Sequence, residues 1–188
     1  MTLLKYENSK LKHQFIFNLP VSHAICGRQC PGCYALKAQI RFPKTVIPYR
    51  EARYKASLRD DFVATVVNEL SSTRRSARTV RVHESGEFYS QEYINKWQAI
   101  AEALPLFTFY AFTKRIKDFD FSSLKALPNF VVIDSLHFGR INYGSPSSAP
   151  TNAHVCPVTE HKPVTCGTSC RYCMSKKAQT NGIWFNKH

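Results

Sequence analysis

The sequence predicts an α/β fold, a small partial or compact TIM-type (β/α) barrel with parallel strands and cysteine-rich loops. Three observations predict it. Short β-branched runs alternate with stretches of helical periodicity, which is the pattern of βαβ units around a parallel sheet. Four strands are clear, with room for five or six, and 188 residues fall well short of the ~250 typical of an eight-fold barrel. The chemistry-bearing residues also fall just after strand ends, where such folds gather their sites.

Each element has its own signal. Residues 13–19 (HQFIFNL) read as a first strand ended by Pro20, and a cysteine loop follows at once. Residues 33–38 (CYALKA) read as the start of a helix. A longer helix is predicted over 57–71, because Leu58, Phe62, Val66 and Leu70 recur every four residues with Val63 and Val67 alongside, making one apolar face. The β-branched, alternating run 79–83 (TVRVH) is the next strand, ended by the turn Glu84-Ser85-Gly86-Glu87. Residues 90–104 form a helix with Tyr93, Ile94, Trp97, Ile100, Ala101 and Leu104 inward. A strand over 107–112, a short helix over 122–127 and a strand over 130–135 complete the pattern. A turn-rich stretch, 139–152, separates these from a second cysteine group, so that 1–188 is one domain with 153–188 as a C-terminal extension.

The apolar and aromatic content is that of a globular chain. No apolar run reaches the roughly 18 residues of a membrane-spanning helix, and the polar start MTLLKYENSKLKHQF does not read as a signal peptide. A cytoplasmic protein with no membrane partner is expected. The net charge of +13 can attract nucleic acid or anionic substrates, and it can also compensate buried anionic groups. The densest basic run, Arg74-Arg75-Ser76-Ala77-Arg78, has no interleaved aromatic residue to stack a base, so a solvated loop is the simpler reading.

The seven cysteines are Cys26, Cys30, Cys33, Cys156, Cys166, Cys170 and Cys173. Their number is odd, and none lies between positions 33 and 156. That clustering points to metal in a reducing compartment rather than to a secreted disulfide scaffold. The run Cys26-x3-Cys30-x2-Cys33 can hold three corners of a cubane and leave the fourth iron open, the mark of a catalytic rather than a structural site. Cys166-x3-Cys170-x2-Cys173 with Cys156 supplies four thiolates, enough to close a second cluster. Two 4Fe–4S clusters would use every cysteine. Zinc is the alternative, with His23 as a fourth ligand for the first group and His154 or His161 for the second, although neither run is built of two Cys-x2-Cys pairs. Disulfides come third.

Cys26-x3-Cys30-x2-Cys33 after a first strand resembles the cluster loop of the radical S-adenosylmethionine superfamily. Ser85-Gly86-Glu87 after the second resembles that superfamily's Gly-Gly-Glu segment. The resemblance implies that Ser85, Gly86 and Glu87 bind the methionine amino group of S-adenosylmethionine, which the open iron chelates and an electron from the cluster cleaves to a 5′-deoxyadenosyl radical. Gly32 stands where those loops usually carry an aromatic residue, and no Gly-x-Ile-x-Gly ribose segment is visible. A closer match, over most of the chain, is to the phage-associated family known as gene product 88. It rests on FNLP with the first cysteine run and Tyr34-Ala35, on VRVHESGEFYSQEYINKW (80–97), on FYAFTK (109–114), on LPN (127–129), and on the C-terminal cysteines with the ending GIWFNKH. That resemblance implies a cluster-binding α/β domain and names no reaction.

His83, Glu87, Lys114 and His137 stand at strand ends and are the candidate catalytic residues. A histidine there can act as acid, base or ligand, Glu87 can bind an ammonium group, and Lys114 can hold an anionic substrate group. Each has a plainer alternative, namely a turn-capping histidine, a carboxylate at a helix start or a solvated lysine. Tyr34 and Tyr172 flank the cysteines as shields against water. Three functions follow. The first is a radical enzyme acting on a small-molecule, anionic substrate. The second is a hydrolase of esters, lactones or amides using the open iron as a Lewis acid. The third is a nucleic-acid-binding protein with structural clusters.

Overall fold

The computed structural model describes residues 2–27, 33–135 and 154–185, and builds them around one open five-stranded sheet in the order β1-β2-β3-β4-β5. The strands are β1 (Lys5–Tyr6), β2 (Phe15–Phe17), β3 (Thr79–Val82), β4 (Thr108–Thr113) and β5 (Phe130–Asp134). β1 runs antiparallel to β2, and the remaining pairs are parallel. The fold is therefore mixed α/β with a mostly parallel sheet, the class that the alternating patterns predict. The turn-rich stretch 139–152 lies outside the described residues.

The helices are α1 (His23–Cys26), α2 (Tyr34–Arg41), α3 (Pro43–Ser57), α4 (Phe62–Ser71), α5 (Gln91–Ala103), α6 (Ser122–Ala126) and α7 (Lys176–Asn181), with a 3-10 turn at Tyr172–Met174. α5 starts where its sequence says it should, because Ser90 caps it by accepting the Tyr93 amide at 3.1 Å. The helix expected over 57–71 begins only at Phe62, and Leu58 is 53% exposed. The preceding helix, α3, was not expected. Its buried residues are Arg50, Arg53 and Ser57, and it carries Pro48 in its interior, so it has no apolar stripe for periodicity to find.

Arg53 explains how such a helix can be buried. Its guanidinium donates to the carbonyls of Leu3, Tyr49 and Thr2, each at 2.8 Å, and lies over the Tyr49 ring. Glu69 of α4 completes the clasp by accepting the amides of Leu3 and Leu4 at 2.7 and 2.9 Å. The buried charges thus satisfy backbone groups of the N-terminal segment that would otherwise be unpaired.

The two faces of the sheet carry different loads. In one set of register rows, Phe15–Val80–Phe109–Phe130 and Phe17–Val82–Ala111–Val132 face α4, α5 and α6 and form the main core. Phe17, Phe62 and Trp97 meet there edge to face, with centroids 5.3–5.9 Å apart, each pair worth roughly 0.5–1.5 kcal/mol beyond its burial. The row between them, Ile16–Arg81–Tyr110–Val131, faces the other way. Tyr110, Val131 and Ile133 of that face pack with Cys156, Ala178 and Ile183. The C-terminal cysteine segment is therefore the cover of the sheet's second face.

Candidate functional site

The carboxyl ends of β2 to β5 bring together Asn18, the loop His83–Glu87, the run Thr113–Arg115 and Ser135. Side chains stitch these ends to one another. Asn18 Oδ1 accepts the amides of Glu84 and Ser85 at 2.9 and 3.0 Å, and Ser85 Oγ donates to the Leu19 carbonyl at 2.9 Å. Gly86 sits at φ +83 with Leu19 so close that a Cβ would stand 2.5 Å from the leucine's own, which explains glycine at that turn. The Glu87 carboxylate accepts Thr113 Oγ1 at 2.8 Å and the Lys114 amide at 2.9 Å. Burial raises its pKa, against the pull of these donors. Glu87 is therefore a brace between the β3 and β4 loops, and the helix-start alternative does not describe it.

His83 takes an unexpected direction. Strand alternation would turn it to the same face as Arg81, but its φ of +64° breaks the alternation. The ring packs instead among main-core aromatics, 4.7 Å from Phe88 and stacked on Tyr93 at 5.7 Å. Nε2 is 2.8 Å from the Tyr93 hydroxyl, while Nδ1 is buried without a partner among the described residues. Burial, reinforced by Arg81, pushes its pKa down to about 3, so the imidazole is neutral at physiological pH. Ser85 is buried and is held by Leu19. His137 and Cys30 lie outside the described residues.

The first cysteine group opens from β2. Ser22 caps α1 by accepting the Ile25 amide at 3.3 Å, Cys26 ends that helix, and Gly27 closes it at φ +68. Arg115 from the β4 end lies directly against Gly27, where any Cβ would collide with its guanidinium. Cys33 precedes α2, and the Tyr34 hydroxyl donates to the Glu84 carbonyl, so the residue after the third cysteine is tied to the β3 loop. Arg50 fixes α2 by donating to Ala35 O at 2.9 Å and Gln39 Oε1 at 3.0 Å.

The second group is held against the N-terminal segment. Lys12 N donates to the Cys166 carbonyl at 3.0 Å, and Gly167 at φ +93 comes so near Lys12 O that a Cβ would stand 2.0 Å away. Gly167 N donates to Cys170 O at 3.0 Å, which closes the turn between two cysteines, and Cys156 N donates to Trp184 O at 2.7 Å. Burial pushes the Cys166 thiol up to about 11, with Cys156 and Cys170 adding to the rise and Arg81 opposing it. Burial likewise pushes Cys173 up to about 12, Arg81 opposing and the other three thiols of the group adding. Cys173 thus lies within electrostatic reach of the other three thiols of the group and Cys166 within reach of Cys156 and Cys170, and both feel Arg81. His154 stacks on Tyr172 with centroids 3.7 Å apart, and its Nε2 is buried with no partner among the described residues.

The chemistry of the donor set can be tested against the groups it might hold. No disulfide joins any two of the six described cysteines. Among the described residues no three His, Cys, Asp or Glu side chains converge at the spacing of a single ion. A single zinc ion needs its sulfurs all about 2.3 Å from one centre, whereas a cubane takes each thiolate on a separate iron and tolerates a wider set. The four C-terminal thiols are not bonded to one another, and the Arg81 guanidinium acts electrostatically on Cys166 and Cys173.

Sequence reasoning missed Arg81, Arg50 and Arg115. Within TVRVH the arginine occupies the polar phase of the alternation, which ordinarily means solvent. Here that phase faces the cysteine segment. No helix of the described residues is long and apolar enough to cross a membrane. No curated protein and no solved structure matches the chain. The family model of Gene product 88 matches residues 2–143, a stretch that contains the first cysteine group, all five strands and the braced loops at their carboxyl ends. On that match the chain belongs to the Gene product 88 family.

Proposed function

We propose that this protein is an iron–sulfur enzyme of the radical S-adenosylmethionine type, acting in a reducing cytoplasm on a partial (β/α) barrel. Cys26, Cys30 and Cys33 would hold an open-site 4Fe–4S cluster, and Cys156, Cys166, Cys170 and Cys173 a closed one. The observation that carries the reading is the gathering of four unbonded C-terminal thiols on the sheet face next to Arg81. The hydrogen bond from the Tyr34 hydroxyl to the Glu84 carbonyl, which ties the residue after Cys33 to the loop before Ser85, supports the first site.

When bound, the three-cysteine cluster supplies an iron position free to take a ligand. The chain's own residues do the rest. Glu87 already accepts hydrogen bonds from the Thr113 hydroxyl and the amides of Lys114 and Phe88, and an ionised carboxylate has about four acceptor sites, which leaves one for an ammonium group. Ser85 and Gly86 fix the turn that aims it. Tyr34, anchored on Glu84, ties the third cysteine to the β3 loop. Lys114 beside Glu87 gives the strand ends positive charge for an anionic substrate, while Arg115 across Gly27 is ion-paired with Asp118 at 2.9 Å. The raised Glu87 pKa also favours a second reading, in which Glu87 moves a proton for hydrolysis at the open iron.

Anaerobically prepared, dithionite-reduced protein should show an electron paramagnetic resonance signal that changes when S-adenosylmethionine is added, and should release 5′-deoxyadenosine. Glu87→Gln should weaken the spectral response roughly tenfold or more. An unchanged spectrum with no nucleoside released would remove the radical reading. Ester or lactone cleavage that needs the cluster but no reductant would establish the hydrolytic one.

A further inference from the structure

The least explained feature of the sheet is a cation in its middle. Arg81 lies on β3 in the row Ile16–Arg81–Tyr110–Val131, flanked by strands on both sides. Its Nε donates to the His83 carbonyl at 3.1 Å, which fixes the root of the guanidinium. The Cζ stands 4.9 Å from the Tyr110 ring centre and 4.3 Å from that of Phe112. Those two rings belong to the apolar cluster that contains Cys156 and Cys173, so the guanidinium rests on the floor of the C-terminal cysteine site. No carboxylate among the described residues forms an ion pair with it. A half-buried charge without an anionic partner needs a compensating negative charge nearby.

We propose that Arg81 is the charge-compensating residue of the C-terminal cysteine site, stabilising the more negative, reduced state of the cluster held there. This rests on the reading that Cys156, Cys166, Cys170 and Cys173 bind a 4Fe–4S cluster. Four thiolates leave that cluster net negative, and reduction by one electron, taken from dithionite or a reduced mediator, adds one further negative charge. A fixed cation favours the reduced form over the oxidised one by Coulomb attraction, which a low-dielectric setting strengthens. Stacking on two aromatic faces holds the guanidinium in place without a carboxylate, which would cancel the effect.

The test is a redox titration followed by electron paramagnetic resonance on the full chain. It is carried out in the Cys26→Ser, Cys33→Ser background, where the C-terminal site alone contributes. Arg81→Gln should shift the reduction equilibrium at least tenfold toward the oxidised cluster, which is 59 mV for a one-electron couple. Arg81→Lys keeps the charge and should stay within about threefold of the parent. Arg59→Gln, at an exposed position paired with Asp61, should leave the equilibrium unchanged. An unshifted Arg81→Gln variant overturns the proposal, as does an Arg81→Lys variant shifted tenfold, since packing rather than charge would then decide. Should the glutamine variant fail to load, the lysine variant decides alone by the same criterion. Parent protein without acid-labile sulfide defeats the cluster reading itself, and the assignment of Arg81 falls with it.

Discussion

His83 shows how one dihedral angle redirects a side chain. Its place at the end of β3 is legible in TVRVHESGE, and alternation aims it at the same face as Arg81. The left-handed φ sends it to the opposite core instead, and no pattern in the sequence announces that. The consequence is measurable. A histidine with a folded pKa near 3 and an unfolded one near 6.5 binds its proton only in the unfolded chain between those values. Stability that is fully present above pH ~6.5 is therefore lost as pH falls, by about 1.4 kcal/mol per pH unit from this group. Denaturant titrations from pH 7 to 4 should show that slope, and His83→Asn should flatten it, because asparagine tolerates positive φ and does not titrate. An identical slope in the variant would place the histidine in solvent. Arg81 was illegible for a related reason, since alternation assigns a residue to a face and is silent on what covers that face.

At the scale of elements, apolar periodicity located α4, α5 and the strands, because each lays a regular stripe against the main core. It failed at α3, whose buried positions are arginines satisfied by backbone carbonyls, and at β1, whose two residues are too few to carry a pattern. α7 has another task. β5 is the edge of the sheet, and Gln179 Oε1 accepts the outward Val132 amide at 3.0 Å, while Lys176 Nζ donates to the carbonyls of Lys125 and Phe130 at 2.8 and 2.6 Å. Side chains thus cap an edge that could otherwise recruit another strand. Gln179→Ala should leave the Val132 amide unpaired, lower stability by about 1–3 kcal/mol, and speed hydrogen exchange at Val132. Protection unchanged at that amide would mean that the edge is covered by something else.

Across the whole molecule, the sheet divides the labour between its faces. One side is an aromatic-rich core against helices, and the other carries the C-terminal cysteines over a row containing Arg81. The α/β class and the collection of strand ends were legible, since βαβ patterns and cysteine spacing are local. The packing of the second cysteine group onto the sheet was not legible, because a segment more than twenty residues beyond β5 gives no local sign of which surface it will cover. The charge of +13 takes on a specific meaning in this arrangement, with Arg50, Arg81 and Arg115 brought close to the two cysteine groups.

Iron and acid-labile sulfide per chain, measured on anaerobically prepared protein and on a Cys166→Ser, Cys173→Ser variant, test the account most directly. Two clusters predict about eight of each in the parent and about four of each in the variant. A colourless parent that contains zinc and no acid-labile sulfide would contradict it.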